Sequence, residues 1–502
     1  MTNLVARLGT NARANPAAVA LAWNKARWTY ADLARATAAA RDALRAHGLQ
    51  RGDRVALLLR NSPQYVAALF GTFAAGGAAV ALNALERAEV LTRQIAHSGA
   101  TVVIVDPAHV EYAQLCEQLR DRPVKVVALA TPDSPEALEK LIADLGEAPA
   151  TADADCALEE LALLIYTSGT TGRPKAVMLC HGNLASNAHA IVEYLALTPA
   201  DRGFCVLPFH FSYGNSVLTS HLLAGAELVI EDNLAYPLRS LQRMVELRVT
   251  GFAGVPSTFT LLLTRACLRD YDLAALRYVT QAGGAMMRAS IERLRAELPH
   301  TRIFVMYGQT EATARISWLP SEELDIRVGS VGRPIANTEI GIFDLEGLPL
   351  ATGMIGEIRV RGPGIMLGYW QDPEASREAV RDGWLCTGDL GHQDAHGFLY
   401  IDGRAVEMIK VGAFRVSPYE VEEAIAQLED VVEVAVGATP DDVLGQAVKA
   451  VIVLRQGAAL DALAVKAHCR HALAQYKIPK IVEFATELPR TQTGKVQRLQ
   501  LT

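Results

Sequence analysis

The chain has 502 residues, half of them hydrophobic and about a fifth charged, which is enough material for two or more soluble globular domains. Its net charge of −7 (48 basic against 55 acidic residues) comes without a long basic block, which disfavours a nucleic-acid partner. Seven scattered cysteines without a CxxC pair argue against a disulfide framework or a zinc site, and no apolar leader opens the chain, so a cytoplasmic protein with reduced thiols is expected. In chain order, Tyr30–His47 is Ala-rich and predicts a helix, and Arg54–Leu59 a short strand. Val66–Leu82, the most apolar stretch, is too short for a membrane span and is broken by Gly76-Gly77, so it reads as a buried helix running into a buried strand. Arg87–His97 (helix) and Thr101–Val105 (strand) continue an alternation that implies parallel sheets covered by helices, and the alternation returns around Leu228–Ile230, Leu238–Leu247, Ala253 and Tyr278–Thr280. Residues 325–403 are rich in Gly, Pro and short strands and predict a β-rich subdomain. After Asp402-Gly403, the succession Pro418–Leu428, Val431–Val436, Val448–Leu454, Ala459–Gln475 and Ile481–Phe484 predicts a small α+β domain. The expected fold is therefore α/β, with residues 1–403 as a large N-terminal domain of mostly parallel sheets and 404–502 as a small C-terminal domain.

The most informative stretch is Tyr166–Asn183, YTSGTTGRPKAVMLCHGN. An apolar run enters a loop of Thr167, Ser168, Gly169, Thr170, Thr171 and Gly172 that ends in Arg173-Pro174-Lys175, and an apolar segment leaves it. Small residues let the backbone approach a polyanion, successive N–H groups can form an anion nest, and the hydroxyls and Lys175 add donors and charge. This is a phosphate cradle without the Gly-Lys-Ser/Thr ending of a Walker loop.

Other segments carry weaker signals. Tyr307-Gly308-Gln309-Thr310-Glu311 follows an apolar run, so an aromatic at a strand end could pack on a base and a carboxylate could hold Mg2+. Gln281-Ala282-Gly283-Gly284-Ala285 allows close backbone approach to a flat ring, although a simple turn explains it equally. Asp389, after the tight turn expected in Trp384–Gly388, suits a ribose diol, and Arg404 reads either as a second ribose contact or as a surface arginine. Lys495, in PRTQTGK, reads alone as a surface lysine. His468 and His471 lack the partners of a metal site, and His210 reads as a packed histidine.

Taken together, YTSGTTGRPKAV, YGQTEAT, GEIRVRGPGIMLGYW, WLCTGDL, GRAVEMIKVGAFRVSPYEVE and PRTQTGKVQR, in this order, strongly resemble the adenylate-forming superfamily of acyl-CoA synthetases, nonribosomal adenylation domains and beetle luciferases. The resemblance spans essentially the whole chain. It implies a two-step ligase: a carboxylate attacks the α-phosphate of MgATP to give an acyl-adenylate and pyrophosphate, and a thiol then displaces AMP. It also assigns roles. Thr167–Gly172 and Lys175 would hold the β- and γ-phosphates, Glu311 and Thr167 the Mg2+, and Thr310 the α-phosphate. Tyr307 would stack on adenine with Gly283 and Gly284 along its edge, Gly308, Gln309 and Ala285 would belong to the same nucleotide site, and Asp389 and Arg404 would hold the ribose. Lys495 would bridge the carboxylate and the α-phosphate, and Lys410 would be a second functional lysine presented when a mobile C-terminal domain turns for thioester formation. Two positions depart from the family pattern: Val406, where the hinge is usually Asp or Lys, and Ala413, where Gly usually stands beside the pantetheine channel.

Pro208–Ser216 matches the region that lines the family's acyl pocket. Phe211 falls where many members of the family have a gating aromatic or His, Tyr213 is counted in the same pocket, and Asn215, Ser216 and Gln281 are candidates to recognise a polar substituent. No Asp between Phe209 and Ser216 would pair an α-ammonium, which disfavours amino acids and leaves a hydrophobic aliphatic or aryl acid. Coenzyme A and the phosphopantetheine of a carrier protein acting in trans both stand as thiol acceptors. A non-catalytic nucleotide-binding regulator, a P-loop kinase and a luciferase-like oxygenase are the rival readings.

Overall fold

The computed structural model describes residues 2–146, 153, 155–167, 175–232, 234–404, 407–412, 414–441, 443–490, 496–498 and 501. Three sheets organise them. The first has seven strands, in the order Gly368–Tyr369, Lys175–Cys180, Leu161–Thr167, Ala78–Ala81, Arg54–Leu58, Ala100–Val105, Lys125–Ala128. From Leu161–Thr167 onward the pairings are parallel, and the first two strands run antiparallel at the edge.

Helices cover these strands for local reasons that the sequence states. Tyr30–Ala46 begins in a reciprocal cap between Thr29 and Asp32. Pro63–Ala75 begins with the Ser62 cap and Pro63, buries all thirteen of its residues, and stops at Gly76 (φ 86°) before the strand Ala78–Ala81. The apolar stretch 66–82 is thus a helix, a turn and a strand. A Cβ on Gly71 would lie 2.5 Å from that of Ala40, so the missing side chain is what lets these two helices touch. Among the described residues no helix is long and apolar enough to cross a membrane.

The second sheet runs through fourteen strands. Its parallel part contains, side by side, Val19–Trp23, Glu227–Ile230, Arg202–Cys205, Gly251–Gly254, Tyr278–Gln281 and Arg302–Tyr307. It continues antiparallel through Ser317–Leu319 and Ser330–Pro334 into Leu399–Arg404, Trp384–Gln393, Gly356–Arg361 and Glu339–Phe343. The turn expected before Asp389 is instead a bulge inside the ten-residue strand Trp384–Gln393. Glu357 pairs with Leu390 but Arg359 pairs with Cys386, and Gly388 takes φ 72°.

The third sheet contains Phe414–Val416, Ile409–Val411, Gly445–Leu454, Val431–Asp441 and Ile481–Ala485. The helices Pro418–Ile425 and Ala462–Ala472 belong to the same unit. Its core includes Ile409, Val421, Val436, Ile452, Val465 and Cys469, with Met287 packed against it from the earlier chain. His468 Nε2 donates to the Ala424 carbonyl (2.9 Å), a packing contact rather than a metal position. The fold is the α/β architecture expected, a large body of helix-covered, mostly parallel sheets followed by a small α+β unit.

Candidate active site

A cavity of about 960 Å³ opens where parallel strands of both large sheets end at their carboxyl termini. Thr167, Val206, Val255, Ala282 and Gly308 reach it from the ends of Leu161–Thr167, Arg202–Cys205, Gly251–Gly254, Tyr278–Gln281 and Arg302–Tyr307. Loops leaving the carboxyl ends of parallel strands are where α/β folds place ligands.

On one side stand the groups that the sequence reading expected to meet a polyphosphate. Thr167 and Lys175 face each other in register across the antiparallel hairpin, so the cradle joins two strands instead of a strand and a helix. The Thr167 hydroxyl donates to the Lys175 carbonyl at 3.4 Å. Residues 168–174, which carry Ser168, Gly169, Thr170, Thr171 and Gly172, lie outside the described residues. Lys175 Nζ sits 4.8 Å over the Tyr369 ring, and the Tyr369 hydroxyl donates to Glu311 Oε1 at 2.9 Å. Burial and the Glu311 carboxylate push the Tyr369 phenol well above its ordinary pKa, so it remains a donor. The Thr310 and Ser212 hydroxyls are 3.1 Å apart. Glu311, Thr167 and Thr310 offer oxygen only, a set that suits Mg2+ completed by phosphates and water and not a softer metal.

A second group of residues is built around a buried carboxylate. Asp389 is 4% exposed. Its Oδ2 accepts from the Tyr307 hydroxyl (2.5 Å) and its Oδ1 from Arg404 Nε (3.0 Å), Arg404 being its direct cross-strand neighbour. Burial and the Asp389 carboxylate hold the Tyr307 phenol well above its usual range. Tyr307 and Asp389 are not lining residues themselves; they flank Gly308 and Gly388, which are, together with Arg404. Gln309 also lines the cavity, with its Nε2 buried and unpartnered among the described residues. Gly283 lines it at φ 86°, and Gly284 and Ala285 follow as exposed residues.

Of the residues expected in the acyl pocket, Phe211 and Tyr213 line the cavity. The structure sets the other three apart from it. The Gln281 amide donates to the Gly284 carbonyl (2.6 Å) and so braces the Gly283 turn. Ser216 donates to the Tyr213 carbonyl (2.7 Å) within its helix, and Asn215 is 3% exposed there. His210 packs its ring 4.1 Å from that of Phe211, and burial pushes its pKa down to about 4. The helix Pro256–Arg265 supplies much of the remaining wall, including Leu261 and Arg265, and the sequence reading gave it no role. Tyr369 stood in a quoted motif but without a function, and its contact to Glu311 crosses 58 residues.

The C-terminal unit closes part of the cavity with Val432, Glu433 and Arg490. Arg490 donates to Glu433 (2.5 Å) and forms an isolated bridge with Val496. Lys495, between those flanks, lies outside the described residues, as do Val406 and Ala413. Lys410 is exposed on the strand Ile409–Val411, away from the cavity lining.

The fold and this cavity define a nucleotide-binding ligase built of a large and a small unit. The AMP-binding enzyme family matches residues 8–370, and the AMP-binding enzyme C-terminal domain matches residues 420–495. Similar proteins include a feruloyl-CoA synthase of Amycolatopsis sp, 35% identical over 97% of this chain and 95% of that protein. They also include a long-chain-fatty-acid–CoA ligase of Yersinia pestis, 34% identical over 90% and 85%. The crystal structure of ATP-bound MatB from Rhodopseudomonas palustris superposes with a TM-score of 0.91 at 32% identity, covering 99% of this chain and 98% of that one. The chain belongs to the AMP-binding enzyme family and is an AMP-forming acid–thiol ligase that uses ATP, Mg2+ and coenzyme A.

Proposed function

We propose that the chain activates an acid with a largely apolar body and transfers it to coenzyme A, with the nucleotide and the acid sharing one continuous cavity. That continuity carries the reading: Thr167, Lys175, Thr310 and Glu311 line the same space as Leu207, Phe211, Leu234 and Leu261. The named relatives act on acids as different as feruloyl and long-chain fatty acyl groups, so the wall of this cavity is the better guide to the acid.

The first step brings a carboxylate onto a phosphate that is already anionic, and the site answers with positive charge and oriented donors. Lys175 supplies charge at the terminal phosphates. Thr310, braced by Ser212, donates at the α-phosphate. Glu311 and Thr167 would hold Mg2+, which when bound offsets phosphate charge. Arg404, held by Asp389 and through it by Tyr307, would meet the nucleoside from the cavity wall. Lys495 bridges the carboxylate and the α-phosphate. In support, its flanks are bridged and Arg490 lines the cavity.

Residues 1–403 would form the nucleotide and acid-binding domain, with 325–403 as its β-rich part, and 404–502 the mobile domain. Support comes from a separate core in the latter. Lys410, now outside the cavity, would be presented by rotation of this domain for thioester formation. The test is acid-dependent ATP–pyrophosphate exchange. Lys495→Ala should lower it by about two orders of magnitude or more, and unchanged exchange refutes the assignment.

A further inference from the structure

Three arginines among the described residues are buried: Arg41, Arg315 and Arg359. Two of them hold a carboxylate at 2.8 Å, Arg41 that of Asp42 and Arg359 that of Glu357. Arg315, the most buried at 3% exposed, makes no ion pair among the described residues. Its Nε donates to the Tyr194 hydroxyl (3.1 Å), and its guanidinium carbon lies 4.9 Å over the Tyr213 ring. A guanidinium has five N–H donors, and these contacts use one. A buried cation without an anion is costly, and Arg315 lines the main cavity beside Tyr213.

The chain works to put it there. Thr313 takes φ 66° and ψ −50°, and Ala314 N donates to the Ala312 carbonyl at 2.8 Å, a γ-turn of the rare strained kind at a β-branched residue. The Thr313 hydroxyl ties the turn to the Gly364 carbonyl (2.6 Å), and the Asn187 amide holds the Arg315 carbonyl (3.0 Å). Strain of this sort persists where surrounding structure imposes it, often at binding sites.

We propose that Arg315 recognises a second anionic group, a carboxylate or a sulfonate, on the acid being activated. The substrate class is then an acid with an apolar body and two anionic ends: one reacts at the phosphate side, and the other is received by the planar fork of Arg315 between Tyr194 and Tyr213. This rests on the carboxylate-activating reading above.

The test is pyrophosphate release with coenzyme A on matched pairs: glutarate, adipate, isophthalate and 3-sulfobenzoate, each against the monomethyl ester or, for the sulfonate, benzoate. Wild type should favour at least one dianionic member over its monoanionic mate by tenfold or more in kcat/KM. In Arg315→Met that ratio should fall about tenfold or more, to near unity, mainly through KM, and Arg315→Lys should recover part of it. Three outcomes overturn the proposal. Wild type may favour the monoanionic member of every pair. Arg315→Met may lower both members alike, which assigns Arg315 to the reacting carboxylate or to structure. Pyrophosphate release may fail with every acid, mono- or dianionic, in which case the activation reading itself falls and this proposal with it.

Discussion

Gly308 offers the sharpest test of how the site is held. It follows the strand Arg302–Tyr307 and opens the loop that carries Thr310 and Glu311, which Ile316 closes by donating its N–H to the Tyr307 carbonyl (2.9 Å). A Cβ built on Gly308 would meet the Ala314 carbonyl oxygen at 1.8 Å, its carbon at 2.7 Å and Arg315 Cα at 3.0 Å. These are backbone atoms in a turn anchored at Thr313, so no side chain can swing aside. To bring the first contact from 1.8 Å to the 3.0 Å that real Cβ atoms tolerate, the loop must give by about 1.2 Å. Displacement of about 1 Å in a catalytic group can cost about 100-fold in rate, and overpacking costs about 1–3 kcal/mol in stability. Gly308→Ala should therefore lower kcat for acid-dependent pyrophosphate release about 100-fold, with a folded protein by circular dichroism. A folded variant with kcat within threefold of wild type would refute the reasoning.

Asp389→Asn keeps the shape of the side chain but removes the charge that binds Arg404 and Tyr307. Losing about 2 kcal/mol of charge-assisted hydrogen bonding should raise the KM for ATP roughly 30-fold in an ATP titration of the exchange reaction, and an unaltered KM separates this residue from the nucleoside. His181 is buried against Phe73, and desolvation lowers its pKa from 6.5 to about 4. Because the folded value lies below the unfolded one, the stability it contributes is complete above pH 6.5 and is lost as pH falls toward 4. Urea denaturation should show about 2 kcal/mol of that loss between pH 7.5 and pH 5, and His181→Leu should remove this share of the slope while His210 keeps its own. An identical pH slope in the variant would show that His181 is not the titrating group.

Much of this was legible because it is local. The alternation of helix and strand over Tyr30–Val105 follows from periodicity, caps and the Gly76-Gly77 break, and the folded bounds fall within a few residues of those read from the sequence. Thr167, Lys175 and Glu311, picked out in the sequence as residue types at strand ends, do line one cavity. What remained hidden is long-range. Nothing around Tyr369 announces that it will sit under Lys175 and bond Glu311, because that depends on pairing Gly368–Tyr369 with Val177 and Met178. Nothing near Gly308 in the sequence shows that a side chain there is forbidden by the Ala314 carbonyl. Asp389 lies on a bulge whose existence is set by the partner strand, not by its own sequence. Gln281 and Ser216 were chosen as polar groups near the pocket, but a polar side chain inside a fold often serves its nearest backbone first, and Asn215 is buried in its helix away from the cavity lining.

The register of Tyr369 also explains how opposite charges coexist at the Lys175 end of the cavity. Lys175 and Glu311 line one cavity, and an ion pair between them would spend both charges on each other. Among the described residues no such pair forms; the phenol stands between, its face toward the ammonium and its hydroxyl on the carboxylate. Each charge is thereby oriented without being neutralised, which leaves Lys175 available to phosphate oxygens and Glu311 to a cation. Alternation along a strand means that a slip of one residue in the Gly368–Tyr369 pairing would turn the ring to the opposite face and allow the two charges to collapse together. The antiparallel edge of the first sheet thus does for Lys175 and Glu311 what the bulge does for Asp389 and Arg404: backbone pairing between segments far apart in sequence sets which charges meet.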